Sequence, residues 1–239
     1  MQIRLDIKRQ KDAASQSFVQ SIVYEFDDKN EVLSNALTNI NKGGYKDINA
    51  KAVDYISWEC SCLQKKCGAC AMVIDGRPRL ACDAKLCEFD KKGYVLIEPL
   101  KKFPLVKDLT VDRTAMFENL KAIDLALKND AYDNTLTRDI SYESSGCLQC
   151  GCCLEVCPNF YVGGSFFGMA SALPMSKILS QSQRQNEGGV SADFYTHFYS
   201  GCGKSLACRN ICPAGLDIDK IMSRSNAAAV WRRNSFKKK

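Results

Sequence analysis

CLQKKCGACAMVIDGRPRLAC, residues 62–82, decides the fold of the first half of the chain. Its cysteines fall as Cys62-x4-Cys67-x2-Cys70-x11-Cys82, the plant-type [2Fe–2S] spacing. Between the last two cysteines, apolar residues 71–74 run into Asp75-Gly76-Arg77-Pro78, and residues 79–81 lead to Cys82. That is a strand, a Gly-containing turn and a second strand ending on a ligand. Gly68, Ala69 and Ala71 leave room for backbone amides to approach the sulfides. A zinc ribbon wants two Cys-x2-Cys knuckles, which this spacing is not.

The flanking sequence extends the same reading. Residues 2–8 and 18–26 alternate apolar and polar side chains, as two paired strands do. Residues 31–40 put Val32, Leu33, Ala36, Leu37 and Ile40 on one helical face, and residues 94–98 form another strand. Strand pairs, one helix and cysteines on a long loop describe a β-grasp ferredoxin. Beyond residue 115 the strand signal fades. Residues 116–127 space Phe117, Leu120, Ile123, Asp124 and Leu127 near the helical period, and residues 217–229 also read as helix. The predicted class is α+β: a plant-type [2Fe–2S] ferredoxin domain over residues 1–104, then an α-helical bacterial-type two-cluster ferredoxin domain over 105–239.

The helical half carries two more cysteine blocks. Cys147-x2-Cys150-x2-Cys153-x3-Cys157-Pro158 has the bacterial cubane spacing, the x3 interval selecting Cys153 over its neighbour Cys152. Cys202-x5-Cys208-x3-Cys212-Pro213 is the same block with Ser205 where the second cysteine would fall. In the two-cluster pattern the fourth cysteine of each block ligates the other cluster. Cys147, Cys150, Cys153 and Cys212 then hold a [4Fe–4S] cluster, and Cys157, Cys202 and Cys208 hold the other. A hydroxyl is a poor ligand, so the Ser205 corner is expected empty, giving [3Fe–4S]; the alternative is Ser205 ligating a fourth iron as alkoxide. Of the fourteen cysteines, Cys60, Cys87 and Cys152 remain as small buried or surface thiols. Cys60 could compete for the first cluster, against the x4 spacing. Three clusters of different kinds make a conductor of single electrons.

Bulk properties bound the rest. At 239 residues and net charge +6, the chain fits one large or two small domains and is too weakly basic to argue for nucleic acid. The first ten residues read as a strand and not a signal sequence, so the thiols are expected to bind metal in a reducing compartment. Residues 156–176 lack charge, yet Pro158, Pro174 and three glycines make a loop and helix packed on something apolar more fitting than a membrane span. The tail packs Arg232, Arg233, Lys237, Lys238 and Lys239 into eight residues, a solvated end or an attraction to anionic lipid. With a single histidine, His197, no proton-transfer site is expected.

The order of the blocks resembles the iron–sulfur subunit of succinate dehydrogenase and fumarate reductase. The shared words are Cys67-Gly68-Ala69-Cys70-Ala71-Met72, Asp75-Gly76-Arg77-Pro78 with Leu80-Ala81-Cys82, Lys107-Asp108-Leu109, Cys147-Leu148-Gln149-Cys150-Gly151, and Cys212-Pro213 with Gly215-Leu216. The resemblance implies an electron relay between FAD on a flavoprotein subunit, where succinate and fumarate interconvert, and quinone at a membrane anchor of cytochrome b type. It also implies a peripheral position on the cytoplasmic face of the cell membrane, in a prokaryote since no transit peptide is seen. Ubiquinone-reducing relatives carry Trp where this chain has Val162 and His where it has Gly203, so menaquinone is the expected partner. Phe160, Tyr161, Val162 and Gly203 then mark the quinone vicinity, with Phe166 and Phe167 nearby. Two other readings stand beside this one: a subunit serving a thiol- or NADH-coupled fumarate or enoate reductase, and a free ferredoxin-like carrier, which would leave the uncharged 156–176 stretch without an apolar partner.

Overall fold

The computed structural model describes residues 1–123, 125–126, 135–181 and 188–231. Contacts divide the chain into two compact units, Met1–Asp112 and Arg113–Lys239.

Alternation builds the first unit. β1 (Gln2–Arg9) and β2 (Phe18–Glu25) pair antiparallel, with Ile3 opposite Tyr24 and Leu5 opposite Ile22 on one buried face. α1 (Leu33–Asn41) buries Leu33, Ala36, Leu37 and Ile40, while Val32 of the predicted face is its N-cap and bridges Lys85 instead. β3 (Ala71–Ile74) and β4 (Arg77–Leu80) form a hairpin. Asp75 and Gly76 are both left-handed, as a two-residue type I′ turn requires. The turn is two residues shorter than the sequence reading had it. Arg77 and Pro78 belong to the strand, and Pro78 is tolerated because β4 is an edge strand. The strand also stops before Cys82, which sits in the 3₁₀ turn Ala81–Asp83. β5 (Tyr94–Glu98) lies parallel to β1 and antiparallel to β3, completing the order β2-β1-β5-β3-β4.

A small ribbon, β6 (Leu105–Lys107) and β7 (Thr110–Val111), closes the unit. Asp108 at its tip is buried and left-handed. Its carboxylate accepts from Arg9 Nε at 3.0 Å, from the Gln10 amide at 3.1 Å and from the Ser57 amide at 3.0 Å. Arg9, itself buried, also donates to Gln20 Oε1 and Tyr55 O. Two desolvated charges persist here because each is paired and further hydrogen-bonded. The network ties β1, the segment entering the cysteine loop and the ribbon together. The compact units divide at Asp112, beyond the expected boundary after residue 104.

The second unit is helical. α2 (Thr114–Lys121) stops six residues short of the predicted helix end at 127; Ile123 is buried, and Asp124 and Leu127 lie outside the described residues. There follow α3 (Thr135–Ser145), the single turn α4 (Cys152–Glu155), α5 (Met169–Gln181) with Pro174 inside it, and α6 (Gly188–Phe194). α6 runs on into a π-helical turn, Tyr195–Tyr199, and α7 (Ile218–Asn226) into another, Ala227–Trp231. Leu173, Met175, Phe194, Phe198 and Ile221 are buried to 2 % exposure or less. Residues 156–168 form a loop, with α5 following. Among the described residues no helix is long and apolar enough to cross a membrane. The basic tail, 232–239, lies outside the described residues.

Candidate metal centres

In the first unit the cysteine loop is shaped by three left-handed residues, Leu63, Lys65 and Gly68. Their turns aim consecutive peptide N–H groups at sulfur. Gln64 and Lys66 donate to Cys62 Sγ at 3.3 and 3.4 Å, and Lys65 donates to Cys82 Sγ at 3.3 Å. These backbone donors, with the Cys67 thiol, pull the Cys62 thiol down to about 7. Cys70 is buried and pushed up to about 12 by that burial, and its S–H donates to Cys82. Cys82 is brought back by the 3₁₀ turn after β4, where the Ala81 amide donates to Cys70 O at 3.0 Å. All four predicted thiols thus come together around one loop. Amides directed at thiolate sulfur stabilise negative charge there, which suits a [2Fe–2S] cluster. Cys60 is exposed and Cys87 half-buried.

In the second unit the middle block wraps a tight turn. Gln149 and Gly151 are left-handed, and Gly151 caps α4, which carries Cys152 and Cys153. Cys157 follows that helix by two residues, and Cys212 ends the 3₁₀ turn Arg209–Ile211. Two cavities result. One is bordered by Cys147, Cys150, Cys153 and Cys212. The other is bordered by Cys153, Cys157, Cys202 and Cys208, with Ser205 on its wall. Cys153 touches both. Lys204 and Leu206, flanking Ser205, are left-handed, repeating the alternate pattern of the first loop. Among the described residues, no three His, Cys, Asp or Glu side chains converge as one metal ion would need; the thiols border spaces. The donor set fits clusters.

Burial raises three thiols of this unit. It pushes Cys147 and Cys208 up to about 11 and Cys153 well above the ordinary thiol range. Cys150 goes the other way, to about 7, chiefly because the Cys152 thiol donates to it; the Arg113 guanidinium assists, holding Cys150 O at 3.2 Å. Cys152 is fully buried, borders neither cavity, and its own pKa rises through that hydrogen bond. Gln149 and Arg113 were not singled out by the sequence, since a lone amide or guanidinium has no spacing to announce it.

The residues expected near quinone scatter. Gly203 is exposed on the rim of the second cavity, its Cα hydrogen side facing the Asn159 amide. Phe160 is buried, Tyr161 exposed against Gly164, and Val162 half-buried; none of the three borders the cavity. Phe166 and Phe198, with rings 5.9 Å apart, do border it. His197 stacks on Phe167 at 4.1 Å, and its Nδ1 lies 3.0 Å from Ser165 O.

A mixed-sheet unit with one four-cysteine loop, followed by a helical unit with two cysteine-ringed cavities, defines a two-domain iron–sulfur protein. Comparison with known proteins agrees. A family model described as "2Fe-2S iron-sulfur cluster binding domain" matches residues 4–118, and one described as "4Fe-4S dicluster domain" matches residues 143–216. The chain is 31 % identical over 246 aligned residues to the succinate dehydrogenase iron-sulfur subunit of Bacillus subtilis (strain 168), covering 94 % of this chain and 91 % of the relative. It is 26 % identical to the fumarate reductase iron-sulfur subunit of Wolinella succinogenes, over 68 % of this chain and 73 % of that one. In fold it matches a chain of the Mycobacterium smegmatis Sdh1 complex in the apo form, with TM-score 0.72, 18 % identity, and 95 % and 96 % of the two chains covered. The chain belongs to the family of iron–sulfur subunits of succinate dehydrogenase and fumarate reductase, an oxidoreductase family.

Proposed function

We propose that this chain relays electrons between FAD on a partner flavoprotein and a quinone, menaquinone, at a membrane anchor of cytochrome b type. Succinate–fumarate chemistry belongs to the flavoprotein. The chain sits peripherally on the cytoplasmic face of a prokaryotic cell membrane. Cys62, Cys67, Cys70 and Cys82 hold [2Fe–2S]; Cys147, Cys150, Cys153 and Cys212 hold [4Fe–4S]; Cys157, Cys202 and Cys208 hold [3Fe–4S]. When bound, these clusters take up and release single electrons.

The observation that carries the reading is the sorting of the helical unit's thiols around two neighbouring cavities, with Ser205 on the wall of the second. Cys153 touches both, and the cubane spacing assigns it to the first. The chain's own residues do the rest: peptide N–H groups of Gln64, Lys65 and Lys66 stabilise sulfur charge in the first site, and apolar Phe166, Phe198 and Met169 line one side of the last. Gly203 and Val162, which lack the side chains of ubiquinone-reducing relatives, support menaquinone.

The test uses the assembled membrane complex under anaerobic conditions. Succinate, or fumarate after prior reduction, must change the electron paramagnetic resonance signals of the clusters, and a menaquinone analogue must exchange electrons with them. Clusters inert to both partners would refute the relay. Ser205→Cys supplies the missing thiol. It is expected to convert the third cluster to [4Fe–4S], adding about one iron per chain to about nine and abolishing the oxidised [3Fe–4S] signal. A wild-type protein without that signal would refute the three-thiol assignment.

A further inference from the structure

We propose that Gln149 sets the reduction potential of the cluster held by Cys147, Cys150, Cys153 and Cys212, by donating a side-chain N–H···S hydrogen bond to the Cys147 sulfur. This rests on the reading that the first cavity of the helical unit holds [4Fe–4S]. Gln149 borders that cavity; its Nε2 lies 3.3 Å from Cys147 Sγ and 2.9 Å from Ala170 O. Both are acceptors, so the amide has one sensible orientation: turned over, it would set oxygen against oxygen. Its own Oε1 is buried without a partner. The amide is held for its two donors.

Pro174 explains why Ala170 O is available. In α5 that carbonyl would accept from the N–H of residue 174, and proline has none. The freed carbonyl takes one hydrogen of the Gln149 amide, and the other hydrogen is thereby directed at sulfur. The Gln149 backbone is left-handed, φ 49°, a conformation uncommon outside glycine. Sequence-distant features, a helix proline and a strained turn, thus converge on one N–H···S contact.

The chemistry follows from charge. Reduction adds one electron to the cluster, and part of that charge falls on the thiolate sulfurs. A donor to sulfur stabilises the reduced form more than the oxidised one, which raises the potential. Gln149 is a positioning residue here: it touches a ligand and acts through it.

The experiment is a redox titration, followed by electron paramagnetic resonance, of the complete complex carrying Gln149→Leu. The [4Fe–4S] reduction equilibrium is expected to fall about tenfold, about 59 mV for a one-electron couple, with the other two clusters unmoved. Pro174→Ala returns an N–H to Ala170 O and is expected to lower the potential less, with little further effect in the double variant. An unmoved potential in Gln149→Leu with its cluster intact overturns the proposal, as does a Pro174→Ala effect that persists in full without Gln149. If Gln149→Leu does not retain the cluster, wild-type protein labelled with amide-¹⁵N glutamine decides: pulsed resonance must resolve a ¹⁵N coupling to the reduced cluster, and its absence overturns the proposal. A wild-type protein with no [4Fe–4S] signal overturns the underlying assignment instead, and the two failures are distinct.

Discussion

Cys62 and Cys147, both proposed cluster ligands, feel opposite surroundings. Cys62 lies on a loop where two peptide N–H groups meet its sulfur, and its pKa falls to about 7. Cys147 lies in a helical unit where burial pushes it up to about 11. The β unit makes a thiolate-ready loop with backbone donors. The contrast holds for these two thiols and not for every neighbour, since burial also raises Cys70 in the β unit and a thiol donor lowers Cys150 in the helical one, where Gln149 adds a side-chain donor to Cys147. The frameworks differ to match. The β unit is clamped by Arg9 to Asp108 above all, and the helical unit by Lys220 to Glu143, Ser225 to Ser176 and turns fitted closely to their neighbours.

The largest expected effect separates the two frameworks. Asp108→Ala leaves the buried Arg9 without its counter-charge and is expected to cost about 3–5 kcal/mol of stability in the β unit. Urea denaturation followed by absorbance should show the [2Fe–2S] chromophore lost first, with the helical unit's iron retained; simultaneous loss would mean the units are not held separately. Gly168→Ala probes the other side. Gly168 is left-handed, φ 71°, and a Cβ there would collide with Leu154 beside Phe160. The expected loss is about 1–3 kcal/mol, confined to the helical unit and read as earlier release of its iron on heating. The smallest effect is at α7, where the Asp217 side chain accepts from the Lys220 amide at 3.1 Å. Asp217→Ala should lower stability by about 1 kcal/mol, measured by circular dichroism, without altering the first unit.

Much of this contrast was legible in the chain itself. The alternation of Ile3, Leu5 and Ile7, the α1 face through Ile40 and the cysteine intervals each carry a period or spacing that local physics enforces. What escaped has no period. The β6–β7 ribbon is too short to alternate, and its anchor Asp108 acts through a left-handed backbone that sequence does not display. Pro78 reads as turn residue until the sheet order makes β4 an edge. The 116–127 pattern continued past Lys121, where α2 ends with Ala122 as cap. Among the proposed site residues, the eleven thiols are read from spacing. Gln149 is not, because its role depends on Pro174, twenty-five positions away, freeing one carbonyl.

In the proposed relay the helical unit holds one complete and one incomplete cubane beside the plant-type cluster. Mössbauer spectroscopy of ⁵⁷Fe-enriched protein, oxidised anaerobically, tests it directly. Iron in a ratio of about 2:4:3 among three cluster types is the predicted result. Two complete cubanes of equal iron content, or zinc in place of iron, would contradict it.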